Sequence, residues 1–205
     1  MRTDIHITLL ISMSVLVLAG CGGSRQTGGF GFTIYPADYR YTPKSEMTGA
    51  LTGSTASPLR VLIPRNWHET ADPERAPQVL AWLVSDDNSA AILFTRLDMD
   101  PALYQTLGKE GLMSVGLLSL SMKKDNAKEN VTTVAGPEVF TLQNRKYVAY
   151  EYRVGNERCV NRIVVFDTGK FFVECVATAI DPEAPPPSRE LFEVQQTLLS
   201  TLRLP

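Results

Sequence analysis

The sequence predicts an α+β domain in which an antiparallel β-sheet is flanked by helices. Strand-like runs follow one another with few helices between them, which argues against alternating βαβ units. Two segments, after Asp100 and after Ser188, have helical periodicity, and each carries an apolar stripe that needs a surface to cover. Of the 205 residues, 44% are hydrophobic, enough to fill a sheet–helix core, while 20% charged residues keep the outside polar.

The first regular element is the strand "LRVLI" from Leu59 to Ile63, ended by Pro64 and the turn-like "PRN". Gln78–Ser85 and Ser89–Leu97 are two more strands, separated by Asp86-Asp87-Asn88. Acidic residues and Asn tolerate tight turns, so these two predict a hairpin. The period then changes. Asp100 is suited to cap a helix and Pro101 to open it. Leu103, Leu107, Gly111, Val115, Leu118 and Met122 make one stripe, which predicts a single helix with Lys123 and Lys124 in its last turn. Lys109 and Glu110 interrupt the run, so it reads as a domain helix and not a membrane span.

Asn130–Phe140 reads as a strand with a break at Gly136-Pro137. Arg145–Val154 alternates, placing Val148, Tyr150, Tyr152 and Val154 on one face. Arg158–Phe166 and Lys170–Thr178 flank Asp167-Thr168-Gly169, a hairpin turn. Ser188 is placed to cap a closing helix from Arg189 to Leu202, with the stripe Leu191, Val194, Leu198 and Leu202 flanked by Phe192 and Leu199.

Ahead of the domain, residues 5–18 ("IHITLLISMSVLVL") are mostly apolar and follow Arg2, as in the core of a secretory signal, and are short for a membrane span. Leu18-Ala19-Gly20-Cys21 resembles the bacterial lipobox. That resemblance implies cleavage before Cys21, a diacylglyceryl group on its thiol and acylation, with palmitate-type chains, of the new amino terminus. Each buried methylene strengthens such an anchor by about 0.8 kcal/mol. Gly22, where an Asp would signal retention, implies the outer membrane facing the periplasm. Residues 1–20 are then a signal peptide, 21–57 a lipidated tether, and 58–205 the domain. "GGSRQTGGFGFT" and Glu46–Pro58 have the Gly/Ser/Thr composition of a flexible linker. Between them "FTIYPADYRYT" reads either as a strand laid on the domain or as a patch of tether.

Chemistry is sparse. A net charge of −2 without a Lys/Arg block gives no electrostatic footprint for nucleic acid. Outside the signal, His68 is the only histidine, whereas a zinc site takes three or four ligands, so His68 reads as a surface residue. With Cys21 on lipid, Cys159 and Cys175 remain, in an oxidising compartment where a disulfide can form. A three-residue loop at Asp167–Gly169 would set Cys159 opposite Ala177 and Cys175 opposite Asn161. That diagonal, about 7–8 Å between Cα atoms, exceeds the disulfide limit; a four-residue loop changes the pairing. A disulfide and a pair of buried thiols both stay open. No nucleophile elbow, phosphate-binding loop or metalloprotease helix is present, and "GGFGF" neither follows a strand nor opens a helix. Asp72, Glu74, Asp86 and Asp87 fall in loops, where turn chemistry accounts for them. Trp67, Trp82, Tyr147, Tyr150 and Tyr152 fall mostly in strands, as core residues or as the lining of a groove.

The strand–Pro–Trp stretch "LRVLIPRNW", the strands "VLAWLV" and "AAILFTRL", the helix after Asp100-Pro101 and the ending "LLSTLRL" resemble the PsbP-like family, including its DcrB-like bacterial lipoproteins. The resemblance spans Leu59 to Leu204. It implies a PsbP-like α/β/α sandwich, no catalytic, cofactor-binding or metal-binding residues, and a role in assisting or stabilising larger assemblies. The expectation is a non-enzymatic, membrane-anchored periplasmic lipoprotein, held by Cys21, that serves as a binding or assembly-support module for a protein complex of the cell envelope. The alternative is a module for a small apolar ligand or a glycan, seated between sheet and helix. A hydrolase or redox protein using Cys159, Cys175 or His68 ranks behind both.

Overall fold

The computed structural model describes residues 45–53, 57–70, 78–127, 130–181 and 185–205, together with a small pair of strands, β1 (Thr27–Gly28) and β2 (Phe32–Thr33). The expected signal peptide, Cys21 and most of the expected tether lie outside the described residues. Among the described residues no helix is long and apolar enough to cross a membrane.

The chain continues through β3 (Met47–Leu51), β4 (Leu62–Pro64), β5 (Trp67–Glu69), β6 (Val79–Ser85), β7 (Ala90–Arg96), α1 (Pro101–Glu110) and α2 (Leu112–Asn126). Then come β8 (Val131–Leu142), β9 (Arg145–Val154), β10 (Asn161–Asp167), β11 (Phe172–Ala179) and α3 (Ser188–Ser200). Seven strands form one antiparallel sheet in the order β5-β6-β7-β11-β10-β9-β8. Helices cover both faces, so the central strands are apolar on both sides, and β10 is buried at every position but its last.

The α3 face holds the larger core: Phe94, Phe140, Tyr147, Val164, Phe166 and Cys175 from the sheet pack against Leu191, Phe192, Leu198 and Leu199. The opposite face packs Val148, Tyr150, Ile163, Val165 and Phe172 under Leu107, Val115 and Leu120 of α1 and α2. The α/β/α layering and the antiparallel sheet agree with the fold read from the sequence.

Several local expectations are corrected. The helix after Asp100 is two helices. Asp100 caps α1 through Oδ1, which accepts from Leu103 N at 2.8 Å, but Gly111 ends it at φ 95°, a left-handed setting that favours glycine. The break rotates the stripe. Leu103 and Leu117 are left exposed, and α2 buries Val115, Gly116, Ser119 and Leu120. Gly116 permits a close approach, since a Cβ there would lie 2.7 Å from Val148 Cγ2.

Met47–Leu51, read as linker, is a strand paired with β4. The expected strand Leu59–Ile63 is shortened to Leu62–Pro64, while Arg60 exchanges two backbone bonds with Arg203 at the other end of the domain. The expected break at Gly136-Pro137 is absorbed within a continuous β8, whose register shifts on either side of Ala135. Pro187, not Ser188, stands at the cap position of α3, and it provides no side-chain bond.

The β10–β11 hairpin has a four-residue loop, Thr168 to Phe171, with Asp167 opposite Phe172. Cys175 therefore faces Val164, not Asn161, and Cys159 precedes β10 altogether. Both thiols are free and buried.

Candidate functional site

The α3 face is not covered along its full width. In β9 the alternation places Tyr147 and Ala149 in the α3-side core and carries Glu151 and Arg153 onto the same face. Beside Glu151 in the ladder is Arg162 of β10, which in turn pairs with Ala177 of β11. Past the first turn of α3 this end of the sheet opens into a cleft of about 500 Å³. Val134, Val160 and Phe192 give it an apolar wall, and Glu151, Arg153, Ser188 and Arg189 supply the polar groups. A volume of that size and a few convergent polar groups are what small-molecule sites have in common.

Glu151 is the unusual member. It is only 1% exposed, and among the described residues its Oε1 has no hydrogen-bond partner. Burial pushes its carboxyl up from 4.5 to about 7, against the pull of the Arg162 charge. Arg162 is equally buried, and its guanidinium lies over the Phe192 ring at 5.3 Å. The strand below is held by Gln195, whose Nε2 donates to the carbonyls of Arg162 at 3.2 Å and Cys175 at 2.7 Å. These bonds fasten the floor to α3, while Arg153 and Arg189 at the rim reach solvent.

A second polar cluster lies on the opposite face. Ser119 Oγ donates to Glu174 Oε1 at 2.6 Å and lies 2.6 Å from the Tyr150 hydroxyl, while Lys123 Nζ donates to Glu174 Oε2 at 2.6 Å. Serine, tyrosine and lysine together have the composition of a nucleophilic centre. Ser119 is fully buried and Glu174 nearly so, which closes the cluster to a substrate. Its physical effect is to fasten α2 to the sheet.

The residues singled out from the sequence fall elsewhere. His68 is on the exposed edge strand β5, with Nδ1 3.0 Å from Asp86 Oδ1. Asp87 is a turn residue, accepting from Ser85 Oγ at 2.6 Å and Ser89 N at 3.0 Å, and these bonds lower its carboxyl to about 2. Asp72 and Glu74 lie outside the described residues. Cys159 donates through Sγ to Glu157 at 3.3 Å, and Cys175 sits in the α3-side core. Burial, then Glu157, pushes the Cys159 thiol up to about 11; burial raises that of Cys175 further still. Tyr147 and Tyr150 are core residues on opposite faces of the sheet. Among the described residues no cluster of His, Cys, Asp and Glu could hold a metal ion. Glu151, Arg153 and Arg162 were not singled out, although a charge inside an otherwise apolar strand is the signal that would have found them.

With this geometry in view, comparison with known proteins gives a likeness of fold. The solution structure of cyanobacterial PsbP (CyanoP) from Synechocystis sp. PCC 6803 is similar at a TM-score of 0.56 and 14% identity, over 76% of this chain and 92% of that one. A crystal structure from Bacteroides thetaiotaomicron VPI-5482, at 14% identity and a TM-score of 0.34, matches 72% of this chain and 45% of its own. No family model and no curated protein matches the sequence. The fold is PsbP-like, an antiparallel sheet with three helices.

Proposed function

We propose that this chain is a non-catalytic binding module of the bacterial cell envelope, anchored through lipid on Cys21, with the cleft between α3 and β8–β10 as its binding surface. The observation that carries the reading is Glu151, a buried carboxyl group whose Oε1 finds no partner among the described residues and which lines an open, apolar-walled cleft. A buried acceptor left without a donor is costly in a purely structural setting and ordinary in a binding site. The lipobox-like Leu18–Cys21 supports the anchor, and Gly22 supports the outer membrane facing the periplasm. The raised thiols of Cys159 and Cys175 and the closed Ser119 cluster favour binding over covalent catalysis.

Support of an envelope assembly is the second reading. It is favoured by Leu103, Met113 and Leu117, which leave large apolar side chains exposed on the α1–α2 layer.

The two are separated by photocrosslinking in intact cells, with the reactive side chain placed at Arg189 or at Leu117. Products from position 189 support the cleft; products from position 117 alone overturn it in favour of the helix layer. Globomycin, which blocks lipoprotein signal cleavage, should make the uncleaved precursor accumulate, and unchanged processing would overturn the anchor.

A further inference from the structure

We propose that the cleft takes a monocarboxylate with an apolar body, its hydrocarbon against Phe192, Val134 and Val160 and its carboxylate between Glu151 and the rim arginines Arg153 and Arg189. The proposal rests on the reading of the cleft as the binding surface and names what it binds.

Three features select this chemistry. The wall formed by Val134, Val160 and Phe192 is apolar, so part of the ligand must be hydrocarbon. The charges around the cleft favour an anion. Arg153 of β9 and Arg189 of α3 line it, with Glu151 the carboxyl of the lining, and Arg162 of β10 lies buried beside Glu151. No charged residue of β8 lines the cleft; its Glu138 lies opposite Ala149, further along the ladder. Of the other carboxylates nearby, Glu193 offsets Arg189 at 3.5 Å, Glu190 shares the first turn of α3 and Glu157 accepts from the Cys159 thiol, so the excess of positive charge rests on Arg153 and Arg162. Ser188 and Arg189 also form the first turn of a thirteen-residue helix without a side-chain cap, where the helix dipole favours negative charge.

The third feature is Glu151 itself. Ionised, it would repel a carboxylate; protonated, it donates a hydrogen bond to one. Its burial already favours the protonated form near neutral pH. Binding therefore takes up a proton on Glu151, and affinity falls as pH rises through about 7. An amine would show the opposite sign.

The test is calorimetric titration of the purified full chain with hydrocinnamate, a phenyl ring on a short chain ending in one carboxylate. Its amide and the matching phenylpropylamine serve as controls. Saturable one-site binding is expected at pH 6, weakening about tenfold at pH 8 as protonated Glu151 is depleted. Glu151→Gln, a neutral donor of similar shape, should keep the affinity and lose the pH dependence. Arg153→Met should weaken binding at both pH values, and the amide should bind less well than the acid. Tighter binding of the amine, affinity rising with pH, or a pH dependence that survives Glu151→Gln would each overturn the proposal. If hydrocinnamate fails to bind while crosslinks from position 189 persist, the ligand class is wrong and the cleft reading stands. If both fail, both are wrong.

Discussion

Glu151 and Arg162 stand directly opposite each other in the β9–β10 ladder, each about 1% exposed, beneath the open end of the α3 layer. An acid held at about 7 in the fold and 4.5 outside it binds more protons when folded. Between those values stability falls as pH rises, and above about 7 the full cost of the buried charge is present. Glu151→Gln removes that cost. The variant should match the parent at pH 4.5 and exceed it at pH 8, by up to about 3 kcal/mol at 1.36 kcal/mol per unit. Urea unfolding at the two pH values checks this; equal offsets at both would mean that Glu151 does not titrate as described.

Gly116 sets the distance between α2 and the sheet. Gly116→Ala places a Cβ 2.7 Å from Val148 Cγ2, and the displaced packing should cost about 1–3 kcal/mol. The double variant with Val148→Ala makes room for the new methyl group, so its loss should be smaller than the sum of the two single losses. Additive losses in chemical denaturation would show that the contact does not govern the packing.

The Ser119–Glu174–Lys123 cluster ties the same face of α2 to the sheet. Ser119→Ala leaves Glu174 Oε1 without its donor and should cost about 1–3 kcal/mol. Lys123→Met strands a carboxylate that is 4% exposed, for about 3 kcal/mol. Hydrogen exchange should show α2 amides losing protection in both variants while those of α3 keep theirs.

Cys159 and Cys175 are buried free thiols whose pKa values lie well above neutral. At pH 7 neither should react with iodoacetamide in the folded chain, while both should react after unfolding in guanidinium. The melting temperature should be the same with and without dithiothreitol. A drop on reduction would reveal a disulfide between them.

How much of this could be read beforehand depended on whether the signal was local. β9 was legible to the residue because Val148, Tyr150 and Tyr152 alternate without interruption and share a core face. The β6–β7 hairpin was legible because Asn88 takes the left-handed turn geometry (φ 58°) that Asn tolerates. The break at Gly111 was missed, since a glycine in register with a stripe looks like part of it until its backbone angle is known. The strand Met47–Leu51 was hidden by Gly and Thr content; its pairing with β4 comes from a contact distant in sequence. The Cys159–Cys175 relationship turned on one residue of loop length, which shifts every partner along the hairpin.

The site was the least legible part. Glu151 gains its properties from Arg162 beside it and from the position of α3, over thirty residues later. Alternation alone could have placed Glu151 on the face of Tyr147 and Ala149, but not beside an opening.

On the proposal made above, Glu151 binds a proton when the cleft receives a carboxylate. Calorimetry of hydrocinnamate binding at pH 7, repeated in buffers of different ionisation enthalpy, counts that proton directly. With Glu151 about half protonated in the free chain, the expected uptake is about half a proton per ligand, vanishing in Glu151→Gln. Binding without proton uptake, or with release, would contradict it.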